Sequence, residues 1–287
     1  MLLPFSSDPG TEPAAYFHRR VSEVQLTVVA EDAAGRPRRD LSAAHIAVRE
    51  DGQAVQQFDL RAAADLPLRI GIVVDLSGST ALTWEQVRRS LMSSVQQLLR
   101  PEDEVLLVTF DRKIELVRTI AQPMELEAWL PRKDTGGLTA LYDSLYQTCD
   151  QRDFFEDARP RHAALILFSD GEDNLSLRGL QDTIARAQQA NIAIYAVTMR
   201  RWKHAGLGDA VLESIATDTG GQAFVVKDGR QLAEALANIN DELRSAYLVN
   251  FRPLPGNDRP GFHRVEVLPL QPDELRVRVR AGYYARP

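Results

Sequence analysis

Cysteine is nearly absent: Cys149 is the only one in 287 residues, which excludes disulfides within the chain and zinc sites built from thiolates. Nowhere do apolar residues run for the roughly 20 positions that a membrane-spanning helix needs. A basic surplus is also missing. Lys and Arg number 34 against 40 Asp and Glu, a net charge of −6, which argues against a nucleic-acid-binding protein. The five histidines, His18, His45, His162, His204 and His263, share no metal-ligand spacing and are expected in loops or on the surface. No G-x-S-x-G elbow surrounds any serine, so hydrolase chemistry has no support. The first twenty residues show neither a basic segment nor an apolar core of signal-peptide length. The protein is then either intracellular or exported by a signal outside this chain.

What is present divides the chain by rhythm. Residues 1–20, rich in Pro, Ser and Gly, are expected to form a flexible terminus. Residues 21–62 contain extended segments, including "HIAVREDGQAVQQFDL", in which Asp51-Gly52 signals a hairpin. From about residue 67 to 246 apolar strands alternate with helices. "LRIGIVVDL", "HAALILFSD" and "IAIYAVTM" are continuous apolar runs, the mark of strands covered on both faces. Helical stripes appear as Trp84, Val87, Leu91, Val95 and Leu98, with Thr83 as N-cap. Others are Leu141 with Leu145, then Leu177, Leu180, Ile184 and Ala187, and finally Leu232, Leu236, Ile239 and Leu243. "DEVLLVTF" and "KIELVRTI" pair around Asp111-Arg112. Residues 247–287 return to strands. Neither flanking set buries an apolar face alone, so the two are expected to complete one small β-sandwich. Into it is inserted an α/β domain with a doubly wound, mostly parallel sheet.

In such a sheet, ligands gather beyond the carboxyl ends of the strands. "DLSGST" lies at one such end and "FSDGED" at another, while the Gly-rich "TGGLTALYDSL" leads into a helix beside them. These loops bring Asp75, Ser77, Ser79, Thr139 and Asp170 towards one point. Taken alone, "DLSGST" is ambiguous between a helix cap and an ion-binding loop, and the other two loops favour the ion. Hydroxyls and carboxylates are hard donors, suited to Mg2+, or to Mn2+ or Ca2+ in its place.

On these residues, from about Leu68 to Ala246, the chain resembles a von Willebrand factor A (VWA) domain. Asp75, Ser77, Ser79, Thr139 and Asp170 match the family's metal-ion-dependent adhesion site (MIDAS). The resemblance implies a Rossmann-like fold and a non-enzymatic, adhesion-type binding module. In that family hydroxyls and water fill most of the metal shell, and one position is left for an Asp or Glu of a protein partner. The flanks, "VVAEDAAGRPRRDLSAAHIAVREDGQAVQQF" and "LRSAYLVNFRP" with "FHRVEVLPL" and "LRVRVRAGYYA", resemble the bacterial VWFA-related family of acidobacterial type. That resemblance implies an exported protein, periplasmic or secreted.

Two other readings use the same features: an assembly or regulatory subunit, for instance of an ATPase, and a domain whose cation only steadies its loops. Glu172 and Asp173 are expected to form an acidic rim, one of them capping the helix that follows. "DGEDNLSLRGLQ" has Leu175 and Gln181 where an EF-hand needs Gly and Glu, so it is not one. Arg276, Arg278 and Arg280 are expected on the solvated face of an edge strand. The basic loop Arg201 to His204, with Trp202, is a candidate for partner recognition.

Overall fold

The structure, a computed structural model, describes residues 23–120, 125–130, 137–155, 162–199, 206–257 and 260–285, apart from the side chains of 82, 95–98 and 116. The flexible terminus expected over 1–20, His18, and the Arg201 to His204 loop with Trp202 lie outside these residues.

The central sheet has six strands. Strand β5 (Leu68–Asp75) lies between β6 (Glu104–Phe110) and β8 (His162–Phe168), and β9 (Ala193–Met199) and β10 (Ala223–Val226) extend the β8 side. These five are parallel, and β7 (Ile114–Ile120) adds an antiparallel edge beside β6. All eight residues of β5 are buried, as its unbroken apolar run requires. On one face α1 (Ala81–Leu98), α2 (Glu125–Trp129) and α7 (Gly229–Ser245) send Trp84, Leu91, Leu126, Leu232 and Leu243 into a core shared with Ile70, Ile72 and Val74. On the other, α3 (Leu141–Cys149), α4 (Arg152–Phe155), α5 (Leu180–Gln189) and α6 (Leu207–Thr219) cover Val73, Leu165 and Ile194. Gly71 has no room for a side chain, because an added Cβ would lie 2.2 Å from Leu165 Cδ2.

The flanking strands form two four-stranded sheets. One orders β13 (Leu275–Arg278), β1 (Val24–Asp32), β11 (Tyr247–Phe251) and β4 (Phe58–Ala62). The other orders β14 (Gly282–Ala285), β12 (Gly261–Pro269), β2 (Ile46–Glu50) and β3 (Gln53–Ala54). Each sheet mixes strands from both ends of the chain, and one core of Leu26, Val28, Val48, Val249, Phe251 and Val267 fills the space between them. Among the described residues four strands precede the α/β unit and four follow it. "ELRVRVRAGYY" breaks into two strands that belong to different sheets. The Asp51-Gly52 turn has positive φ at both positions, 47° and 80°, the geometry of a tight hairpin. The chain enters and leaves the α/β unit side by side, Ala63 N–H donating to Ala246 O at 2.8 Å.

Four sequence expectations need correction. Helix α1 begins at Ala81, so Thr83 sits in its first turn rather than capping it. Helix α5 begins at Leu180, after Gly179, which leaves Leu177 in the preceding loop, 95% exposed. His162 is buried on β8, its ring Nδ1–H donating to Leu243 O at 3.1 Å. Of the three arginines, only Arg276 faces solvent. Arg278 pairs with Glu242 of α7, and Arg280 is buried, donating to Gln188 O and Gln25 O. β13 is an edge strand, but the α/β unit covers Arg278 and Arg280 through Glu242 and Gln188.

Candidate metal-binding cleft

The cleft lies at the carboxyl ends of the neighbouring strands β5 and β8. β5 delivers Asp75, which is 2% exposed. Beyond it the chain turns tightly. Ser77 N–H donates to Asp75 Oδ1 at 2.9 Å, while Thr80 Oγ1 donates to Asp75 O at 2.9 Å and to Ser77 O at 3.0 Å. These bonds fix the loop before α1 begins and leave the Ser77 and Ser79 hydroxyls 3.1 Å apart.

The second loop approaches from α3. Gly78 N–H donates to Gly137 O at 3.4 Å, and Ala140 N–H to Asp111 O at 2.8 Å. Thr139 lies between these contacts and is buried. The third loop follows β8 and clasps the second: Asn174 and Leu175 both donate to Thr139 O at 3.1 Å, and Asn174 Oδ1 accepts from Thr139 N–H at 2.9 Å. Asp170, in this loop, lines one cleft with Asp75 and Ser79. Ser77 joins these three through its contact with Ser79, and Thr139 sits on the adjoining loop.

Burial pushes the Asp75 carboxyl up to about 6; hydrogen bonds from Ser77 and Ser169 oppose this, and the negative charge of Asp170 adds to it. No Lys or Arg pairs with Asp75 among the described residues. A buried carboxylate without a cationic partner, beside a second carboxylate and neutral hydroxyls, is a donor set that fits a hard divalent cation. Among the described residues no three His, Cys, Asp or Glu side chains gather in a metal-binding group. Cys149 is buried elsewhere, its thiol pushed up to about 12 by burial.

Ser169 was not legible as a site residue. Its hydroxyl donates to Asp75 Oδ2 at 2.7 Å and accepts from Gly171 N–H at 3.1 Å, joining the first loop to the third. The only hint in the sequence is its place just before Asp170. Neither Glu172 nor Asp173 caps the helix that follows: the Asp173 carboxylate accepts from Tyr142 N–H at the start of α3 and from Ser176 Oγ. The helix that follows instead has the Asp182 carboxylate accepting from Gly179 N–H. Glu172 is exposed.

Comparison with known proteins agrees with this architecture. A solved von Willebrand factor type A protein from Catenulispora acidiphila superposes over 94% of this chain and 75% of its own, with 13% identity and a TM-score of 0.50. The vWF domain of the type V pili tip protein Mfa5 from Porphyromonas gingivalis aligns with 61% of this chain and 94% of its own, at 14% identity and a TM-score of 0.49. Proximal thread matrix protein 1 of the mussel byssus, solved with a zinc-occupied MIDAS motif, aligns with 63% of this chain at 15% identity and a TM-score of 0.48. This chain spans 48% of that protein's length. No curated protein sequence matches the chain, and no helix among the described residues is long and apolar enough to cross a membrane. The model of the von Willebrand factor type A domain matches residues 70–238, more than half of the sequence, and the chain belongs to that family.

Proposed function

We propose that the protein is an exported, non-enzymatic binding module that captures an Asp or Glu of a partner protein through a divalent cation, Mg2+ or its substitute. The observation that carries this reading is Asp75, buried and without a cationic partner among the described residues, lining one cleft with Ser79 and Asp170. The hydroxyls of Ser77, Ser79 and Thr139 would hold the ion, with Asp75 and Asp170 around it. Neutral hydroxyl ligands leave a cation most of its charge, so it still attracts an incoming carboxylate. The protein's own contribution is to keep the three loops fixed and aim their oxygens at one point. We assign this work to residues 67–246, with 21–62 and 247–287 as their base.

The test is a pull-down from the native source in Mg2+, repeated in chelator and with Asp75→Ala. A partner retained in Mg2+ and lost in both other conditions supports the reading. A partner held equally well in chelator overturns it.

A further inference from the structure

Four exposed leucines lie on the loops that carry the cleft or on the helix end packed against Asp170, and the hydrogen bonding of these segments holds them in solvent. Leu138 precedes Thr139 and is 45% exposed, and Leu175, whose N–H donates to Thr139 O, is 40% exposed. Leu177 is 95% exposed, its N–H fixed by the Asp143 carboxylate at 3.0 Å. Leu207, 93% exposed, opens α6 next to Gly208. That glycine packs so tightly on the third loop that a Cβ there would lie 2.1 Å from Asp170 O. Each leucine is therefore next to a residue that touches the backbone of Thr139 or Asp170, or is fixed in the same loop.

Helical spacing would have put Leu177 in the core, and Leu207, in the first turn of α6, covers nothing among the described residues. Large apolar side chains held out around a polar cleft mark an interaction surface. We infer that these leucines form an apolar collar, and that the partner presents a single Asp or Glu flanked by bulky apolar side chains. This inference rests on the cation-binding reading above and adds the chemistry of the flanking positions.

Charge selects the occupant. The cation's open position takes one carboxylate, but exposed Glu172 and the net charge of −6 repel an acidic cluster. A lone carboxylate among apolar neighbours satisfies the cation and the collar together. Burying two leucines against such neighbours strengthens binding by about tenfold or more.

The experiment pans a phage library of constrained random peptides on the full chain in Mn2+ and elutes with EDTA, with Mn2+ affinity measured by calorimetry. The expected consensus is Asp or Glu with Leu, Ile, Val or Phe on one or both sides. Leu177→Ser with Leu207→Ser should weaken the selected peptide about tenfold while leaving Mn2+ affinity unchanged. Asp75→Ala should abolish both. If Mn2+ binds but eluted peptides carry polar flanks, or none elute, the collar is overturned and the cation site stands. If Mn2+ does not bind, the cation reading falls and the collar with it. Self-association in Mg2+, seen by sedimentation and removed by the leucine variant, would overturn a separate partner in favour of a second copy.

Discussion

The Ser169 hydroxyl donates a 2.7 Å hydrogen bond to Asp75 Oδ2 across 94 positions of sequence. The same oxygen accepts from Gly171 N–H, so one buried atom sets both the orientation of Asp75 and the path of the loop carrying Asp170. Ser169→Ala leaves a carboxylate oxygen and a buried N–H without these partners. Such a change costs about 1–3 kcal/mol, and Mn2+ affinity measured by calorimetry should fall about tenfold, since 1.4 kcal/mol is a factor of ten. Unaltered Mn2+ affinity in a folded variant would show that Ser169 does not position Asp75.

Gly208 gives a second, independent handle on the cleft. Its backbone lies so close to the third loop that a Cβ would meet Asp170 O at 2.1 Å and Gly171 C at 2.9 Å. Neither atom belongs to a flexible side chain, so the loop itself must move. Gly208→Ala should lower stability by about 1–3 kcal/mol, as overpacking does, and weaken Mn2+ binding although no donor atom is lost. A variant with normal Mn2+ binding and a lower melting temperature would separate this packing from the cleft.

What the sequence disclosed follows from how local each feature is. The spacing of Asp75, Ser77 and Ser79 is contained in one turn, and continuous apolar runs announce β5, β8 and β9, so the sheet and its carboxyl edge were legible. The β-sandwich was legible from the inability of either flank to bury its own face. Partners distant in sequence were not. Alternation along "RVRVR" shows that three arginines share a face, but not that α7 and the end of α5 cover two of them, Arg278 and Arg280. A periodicity of three and four carried Leu177 into a helix that Gly179 begins later. His162 resembles any polar residue at a strand start until the last turn of α7 closes over it.

His162 makes stability depend on pH. Burial pushes its imidazole down to about 4; the hydrogen bond to Leu243 opposes this and nearby Arg244 adds to it. In the unfolded chain the ring titrates near 6.5. Between those values the unfolded state binds the proton and the folded state does not, so stability is present in full above about 6.5 and is lost as pH falls towards 4. The loss reaches about 3 kcal/mol at 1.36 kcal/mol per pKa unit. Urea unfolding at pH 7, 5.5 and 4.5 should show it, and the gap between wild type and His162→Gln should narrow as pH falls. A constant gap would remove His162 as the cause.

The ion pair between Arg278 of β13 and Glu242 of α7 joins the sandwich to the α/β unit. The Glu242 side chain is 7% exposed and that of Arg278 24%, so both charges are largely withdrawn from water. Arg278→Leu and Glu242→Leu each leave a largely buried charge without its partner, and each should cost about 3 kcal/mol. Replacing both residues by leucine removes the unpaired charge as well as the pair, so the double variant should recover much of the Arg278→Leu loss. Urea denaturation of the four proteins completes the cycle. Strictly additive losses would mean that the two side chains do not act together, and that the sandwich is held to the α/β unit by its other contacts, such as Arg280 on Gln188 O.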